Sequence, residues 1–273
     1  MNLPAEINPN QSVALLKALH ILTRDGKLNQ DSRRKLKQVY HLVNFIEPLF
    51  KEVLSKQQNP TLVDHGAGKS YLGFILYDLL LKQLDAGNVI GIESRADLVE
   101  KSKQLAIDCK FSRMDFQHLT VEESMHSNQI PENVDIVTAL HACNTATDDA
   151  IQFGLNKRAQ FMVFVPCCQA EVAEMMRKTK ADSLAKTPLS EMWRHPIHTR
   201  ELGSHLTNVL RCLQLEAHGY NVTVTELIGW EHSMKNELIV ARYTGQPRKN
   251  ARARIEAILS EFNLQAIQQR FLS

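Results

Sequence analysis

No apolar run in this chain approaches the roughly 20 residues that a bilayer-spanning helix needs. Near the glycines the longest, Tyr71 to Leu81, is short and is interrupted by Asp78. The opening MNLPAEINPNQSVA has no basic start followed by an apolar stretch, so no export signal is expected. Cysteine is scarce and poorly arranged for bridging: five residues, an odd number, with Cys167 and Cys168 adjacent. These absences argue against a secreted disulfide framework and for a reducing cytoplasm with no membrane partner. A dominant charge is missing too. With a formal net charge of +2, global electrostatics neither demand nor exclude nucleic acid. Internal repeats and long low-complexity tracts are absent. What remains, 44% hydrophobic residues over 273 positions, is ordinary globular composition and enough for a sizeable core.

The first 58 residues read as a helical extension. Val13, Leu15, Leu16, Leu19 and Leu22 recur at helical spacing, and residues 31–56 continue as one or two helices with Pro48 as a kink or restart. After QQNP the pattern changes. Strand-like segments (61–65, 88–94, 111–116, 134–141, 159–166) alternate with helix-like ones (70–84, 96–109, 147–155, 168–178). That order predicts an α/β fold with a mostly parallel sheet covered on both faces. A polar stretch, 179–199, leads to a further helix and then two strands, YNVTVTELIG and NELIVARYTG, whose hairpin makes one strand antiparallel. These segments divide the chain into the extension (1–58), a ligand-binding α/β domain (59–245) and a basic C-terminal helix (246–273).

VDHGAGKSYLG, residues 63–73, mixes two signals. A phosphate-binding P-loop requires glycine five positions before Gly68, and Val63 stands there. The dinucleotide fingerprint fits at Gly66 and Gly68 and fails at Tyr71, where the third glycine lets a helix pack close beneath a pyrophosphate. Both a nucleotide triphosphatase and a nicotinamide oxidoreductase are therefore disfavoured. What survives is acidic-x-Gly-x-Gly after a strand: Asp64, Gly66, Gly68. Asp64 can accept from backbone or from a ligand ammonium. Glu93, ending the second strand, can accept two ribose hydroxyls. Asp115 and Phe116, read at the end of the third strand, suit an adenine amino group and ring. Three acidic groups at successive strand ends fit a ligand with an amine, a ribose and an adenine, which is S-adenosyl-L-methionine. Plainer roles stand beside these: a tight turn for the glycines, a helix cap for Glu93, a loop carboxylate for Asp115.

The succession VDHGAGKSYLG, IGIES, RMDF, VDIVTALHACNTATD and FMVFVPCCQAE resembles class I methyltransferases, and more closely the group sharing methyltransferase domain 32. Its pairing of LHxC-x-x-ATD with PCC is similar to tRNA 2′-O-methyltransferases. The resemblance covers about residues 60–175 and the terminal hairpin. It does not take in the helical preface or 179–200. It implies a Rossmann-like seven-stranded sheet, mostly parallel with one antiparallel strand, S-adenosyl-L-methionine as donor, and cofactor roles for Asp64, Gly66, Gly68, Glu93, Asp115 and Phe116.

His141 to Asn144 follow the fourth strand and Pro166 to Gln169 the fifth. In that fold the two strands are neighbours about 4.8 Å apart, overlooking one cleft. Methyl transfer needs an aligned acceptor and a way to lose its proton. His141 suits a base, an orienting donor or a structural residue; Asn144 or Gln169 suits an orienting amide. Cys167 and Cys168 suit pocket lining, a covalent nucleophile or plain small apolar packing. Adjacent cysteines make a tetrahedral metal shell awkward, so no metal is assigned. The basic segments RRKLK (33–37) and QPRKNARAR (246–254) suit charged, solvated helix ends or a grip on phosphates; with the tRNA likeness they favour RNA (tRNA or rRNA) as acceptor, with protein and small molecules as alternatives. The histidines in WRHPIHTRELGSH suit a lid over substrate or a solvated connector. The competing function of another class is a binding module of methyltransferase fold that holds the donor without turnover.

Overall fold

The computed structural model describes residues 4–84, 86–140, 145–166, 170–179, 188–227 and 237–273. Two helices come first. α1 (Val13–Ala18) starts at Ser12, whose hydroxyl accepts the Leu15 N–H at 3.2 Å. α2 (Gln30–Leu54) starts at Asn29, whose side chain accepts the Ser32 N–H at 2.7 Å. Such caps satisfy donors that a helix start leaves unpaired. Leu36, Val39, Val43, Ile46, Phe50 and Val53 line the buried face of α2 at three- and four-residue spacing. Pro48 does not restart it. The helix runs through for 25 residues, because Pro48 and Asn44, whose carbonyl loses its usual donor, both lie on the exposed side.

Seven strands form one sheet: β1 (Thr61–His65), β2 (Asn88–Glu93), β3 (Met114–His118), β4 (Ile136–Leu140), β5 (Phe161–Val165), β6 (Tyr220–Glu226) and β7 (Glu237–Tyr243). Their order is β3-β2-β1-β4-β5-β7-β6. The first five in space are parallel, and β7 is antiparallel to both β5 and β6. This is the Rossmann-like, mostly parallel arrangement expected from the alternation of segments. The chain moves outward from β1 to β3 and then returns beside β1 as β4. That reversal opens a crevice at the carboxyl ends of β1 and β4, where open α/β sheets bind ligands.

Strand residues alternate between two cores, as the pleat requires. Leu62, Ile136, Phe161, Val163 and Val165 face α2, α3 (Tyr71–Leu76) and α4 (Ala96–Asp108). Val63, Val137, Met162 and Phe164 face α6 (Ala146–Asn156) and the end of α8 (Pro196–Ala217). A short helix absent from the sequence reading, α5 (Val121–His126), is closed by a reciprocal cap between Thr120 and Glu123. The third core holds α7 (Glu171–Thr179) and α8 against α9 (Ala251–Glu261) and α10 (Gln268–Leu272).

Asp78, which interrupts the apolar run in sequence, lies in a π-helical turn (Tyr77–Leu81) that continues α3. It is fully buried, accepts the Ser12 N–H at 2.7 Å and lies 3.3 Å from the Lys82 ammonium. The N-terminal extension is thus tied to the sheet domain at the cap of α1, and both share one continuous core.

The basic C-terminal segment leaves the opposite edge. Arg242, near the end of β7, stands across from Phe161, the first residue of β5. Residues from Gln246 onward therefore emerge at the amino edge of the parallel strands. Arg248 and Arg254 pair with Glu216, and Arg252 donates to the Leu272 carbonyl at 2.9 Å. The segment lies away from the carboxyl edge of the parallel strands, and its exposed arginines match the plainer expectation of charged, solvated helix ends. No helix among the described residues is long and apolar enough to cross a membrane.

Candidate functional site

After His65 the chain enters the glycine turn. Gly66 (φ +64°) and Gly68 (φ +56°) adopt left-handed conformations that residues with a β-carbon resist. A β-carbon on either would meet nothing within 4 Å, so the space over the turn is open. The Ala67 N–H donates to the Ile92 carbonyl at 3.0 Å, and the Ser70 N–H to the Ala67 carbonyl at 2.6 Å. Gly73, two positions beyond the expected third glycine, does the close packing. A β-carbon there would lie 2.5 Å from Ser70 Oγ.

Glu93 ends β2 beside this turn. Its Oε2 accepts the Gly68 N–H at 2.8 Å, and its Oε1 accepts the Arg95 N–H at 3.0 Å. One carboxylate therefore joins the glycine turn to the start of α4. Asp64 lies beneath. It accepts the Thr138 hydroxyl at 2.9 Å and the Ser70 hydroxyl at 3.4 Å. Burial raises its pKa to about 6, against the pull of those donors. Its hydrogen bonds are thus met inside the protein, and it braces the turn from below. Thr138 and Ser70 escaped the sequence reading. The signal for Thr138 was there: it is the one polar residue within β4.

Asp115 and Phe116, expected at the end of the third strand, are not there. β3 begins at Met114 and ends at His118, which stands opposite Glu93. Asp115 pairs with Ile90 and Phe116 with Gly91. At about 3.3 Å per residue, Asp115 sits roughly 10 Å from the Glu93 row toward the amino edge. Phe116 is 1% exposed and lies against Phe74, ring centres 5.4 Å apart. The apolar Phe111 misled the strand reading: it belongs to the turn after α4 and stacks on Tyr77 at 4.4 Å. His118 is the β3 residue at the ligand edge, its Nε2 2.9 Å from the Ser94 carbonyl.

His65 faces the other side of β1 from Asp64. It is 3% exposed, its ring centre 5.3 Å from that of Phe153, and among the described residues neither ring nitrogen has a hydrogen-bond partner. Burial lowers its pKa to about 4, so it is neutral near pH 7.

His141, Asn144, Cys167 and Cys168 lie outside the described residues, as do Cys143 and Gln169. The strands that lead to them are adjacent, with Leu140 level with Val165. Asp148, in the ATD motif at the start of α6, is buried against the fully buried Arg211 of α8 at 2.5 Å. Arg211 also contacts Asn208 at 3.1 Å, and Asn208 donates to Glu237 at 2.9 Å. Spacing in sequence gave no sign of this network. His195, His198 and His205 are exposed on or beside α8. Among the described residues no three His, Cys, Asp or Glu side chains are placed to hold a metal ion.

A family model described as a methyltransferase domain matches residues 34–175. The match begins inside α2, so it reaches further back than the sequence resemblance at residue 60. A glutathione S-transferase C-terminal domain-containing protein from Bos taurus is 26% identical over 237 residues, covering 80% of this chain and 34% of that protein. A homologue from Drosophila pseudoobscura pseudoobscura is 24% identical, covering 78% and 37%. The chain spans about a third of the length of these curated relatives. Among solved structures, magnesium protoporphyrin IX methyltransferase from Synechocystis, with bound SAH, has a TM-score of 0.45 at 12% identity, covering 86% of this chain and 95% of that one. The Methanococcus jannaschii fibrillarin pre-rRNA processing protein has a TM-score of 0.40 at 12% identity, covering 70% and 69%. The likeness to tRNA 2′-O-methyltransferases rests on the sequence motifs alone.

Proposed function

The chain belongs to the methyltransferase domain family, and on that premise we propose that it transfers a methyl group from S-adenosyl-L-methionine to an RNA acceptor. The open glycine turn clasped by Glu93 carries the donor reading. Gly66 and Gly68 let a nucleoside approach the backbone, and Glu93 offers carboxylate oxygens to its ribose hydroxyls. Asp64, buried beneath the turn, braces it through Thr138 and Ser70. Once bound, the donor supplies an electrophilic methyl on sulfur, leaving the chain to align an acceptor and accept its proton. His141 is proposed for that proton, Asn144 for orientation, and Cys167 with Cys168 for lining the pocket. Their support is the adjacency of the β4 and β5 ends together with the family resemblance. RNA is favoured by the LHxC-x-x-ATD and PCC motifs and by basic residues of the extension.

Calorimetry tests the donor. S-adenosylhomocysteine should bind, with ATP and NAD much weaker; preference for a triphosphate would remove the reading. Tritiated donor incubated with RNA, protein and metabolite fractions tests the acceptor. Label in RNA is expected. Label in another fraction names that class instead, and none in any would favour a binding module.

A further inference from the structure

We propose that the groove between α1 and α4, opening onto the glycine turn, is a track for the phosphate backbone of a single-stranded RNA. The proposal rests on the methyltransferase reading and adds where the acceptor is held. Two clefts, of about 460 Å³ and about 310 Å³, meet at the exposed His20. The larger carries Lys69 and Lys101; the smaller carries Lys17 and Arg24. Lys69 lies between Gly68 and Ser70, so this cation is part of the turn itself.

The balance of charge is one-sided. Asp108 is the only carboxylate among the lining residues of the two clefts, and it accepts the Gln104 amide at 2.8 Å. Lys17, Arg24 and Lys69 form no ion pair among the described residues. Lys101 reaches Asp97 at 3.5 Å across solvent, an interaction that contributes little. The C-terminal basic segment, by contrast, pairs with Glu216 at the opposite edge of the sheet. Among the described residues, this groove sets Lys17, Arg24 and Lys69, none of them ion-paired, along clefts that reach the glycine turn at Lys69.

Its floor decides between polyanions. Ala18, Leu19, Leu98 and Leu105 give an apolar bed between the cations. Phosphates at the rim with base faces on that bed fit both surfaces at once. An acidic peptide satisfies only the rim.

The test uses the full chain and a labelled single-stranded RNA of mixed sequence, followed by fluorescence anisotropy over a salt series. The variant Lys17→Glu/Arg24→Glu/Lys101→Glu should weaken binding by on the order of tenfold or more. It should also flatten the log–log salt slope by about 2, at roughly 0.7 for each phosphate left without its cation. S-adenosylhomocysteine affinity should stay unchanged, and Lys249→Glu should bind RNA like the parent. Should the triple variant melt early, Lys17→Gln/Arg24→Gln replaces it. Absence of RNA binding, undiminished binding by the variants, or displacement by polyglutamate as readily as by unlabelled RNA overturns the proposal. Loss of S-adenosylhomocysteine binding in the parent would instead undo the donor reading.

Discussion

The carboxylate of Glu93 accepts the backbone N–H of Gly68 at 2.8 Å, so the end of β2 holds the glycine turn that follows β1. Residues 25 positions apart are locked into one edge, and the same carboxylate fixes the Arg95 N–H at the entry to α4. In the proposed donor role, a ribose arriving here would meet an acceptor already oriented by backbone donors.

Glu93→Ala should therefore lower S-adenosylhomocysteine affinity by roughly 1.5–3 kcal/mol, the range for hydrogen bonds to a charged partner. Calorimetry with a melting curve as control measures it. Unchanged affinity in a folded variant would remove Glu93 from the ribose role.

Gly91→Ala separates packing from binding. A β-carbon there would lie 2.5 Å from the Phe116 ring in the core. Overpacking of this kind costs about 1–3 kcal/mol. Denaturant unfolding should record that loss, while ligand affinity at temperatures where the variant is folded should match the parent.

Asp64 and His65, on opposite faces of β1, titrate in opposition. Burial raises Asp64 from 3.8 to about 6, so the folded chain keeps a proton that the unfolded chain has released. Stability from this group falls as pH climbs from about 3.8 to about 6. Burial lowers His65 from 6.5 to about 4, so on acidification the unfolded chain takes up a proton first. Stability from this group is lost as pH falls from about 6.5 to about 4. Each displacement is worth roughly 3 kcal/mol, and the two oppose each other across one window. Asp64→Asn should leave stability rising with pH over that window, and His65→Leu should leave it declining. Urea melts through the window would show the divergence. Parallel profiles for both variants and the parent would refute it.

Arg211→Met should destabilise by roughly 3–5 kcal/mol, because Asp148 would be left as a buried charge without its nearest partner. Asp148→Leu/Arg211→Met should recover a large part of that loss. A double-mutant cycle in denaturant measures the coupling. Additive losses would show that the pair does not act as a unit.

Much of this protein is written locally. The alternation of strand and helix periods, the glycines that take φ near +60° at little steric cost, and Glu93 closing a run of apolar residues all follow from backbone sterics and side-chain period within a few positions. That is why the order of elements, the glycine turn and the place of Glu93 were legible in the chain itself. Tertiary structure decided what depends on distant partners. It set the register that moves Asp115 away from the ligand edge, and the pairing of Asp148 with Arg211, 63 positions away. It made Asp78 an anchor for the extension, sent the C-terminal basic segment to the far edge, and gathered Lys17, Arg24, Lys69 and Lys101 from distant parts of the chain along adjoining clefts. Burial and pairing of charge are properties of three-dimensional neighbours, and no local period in a sequence encodes who those neighbours are.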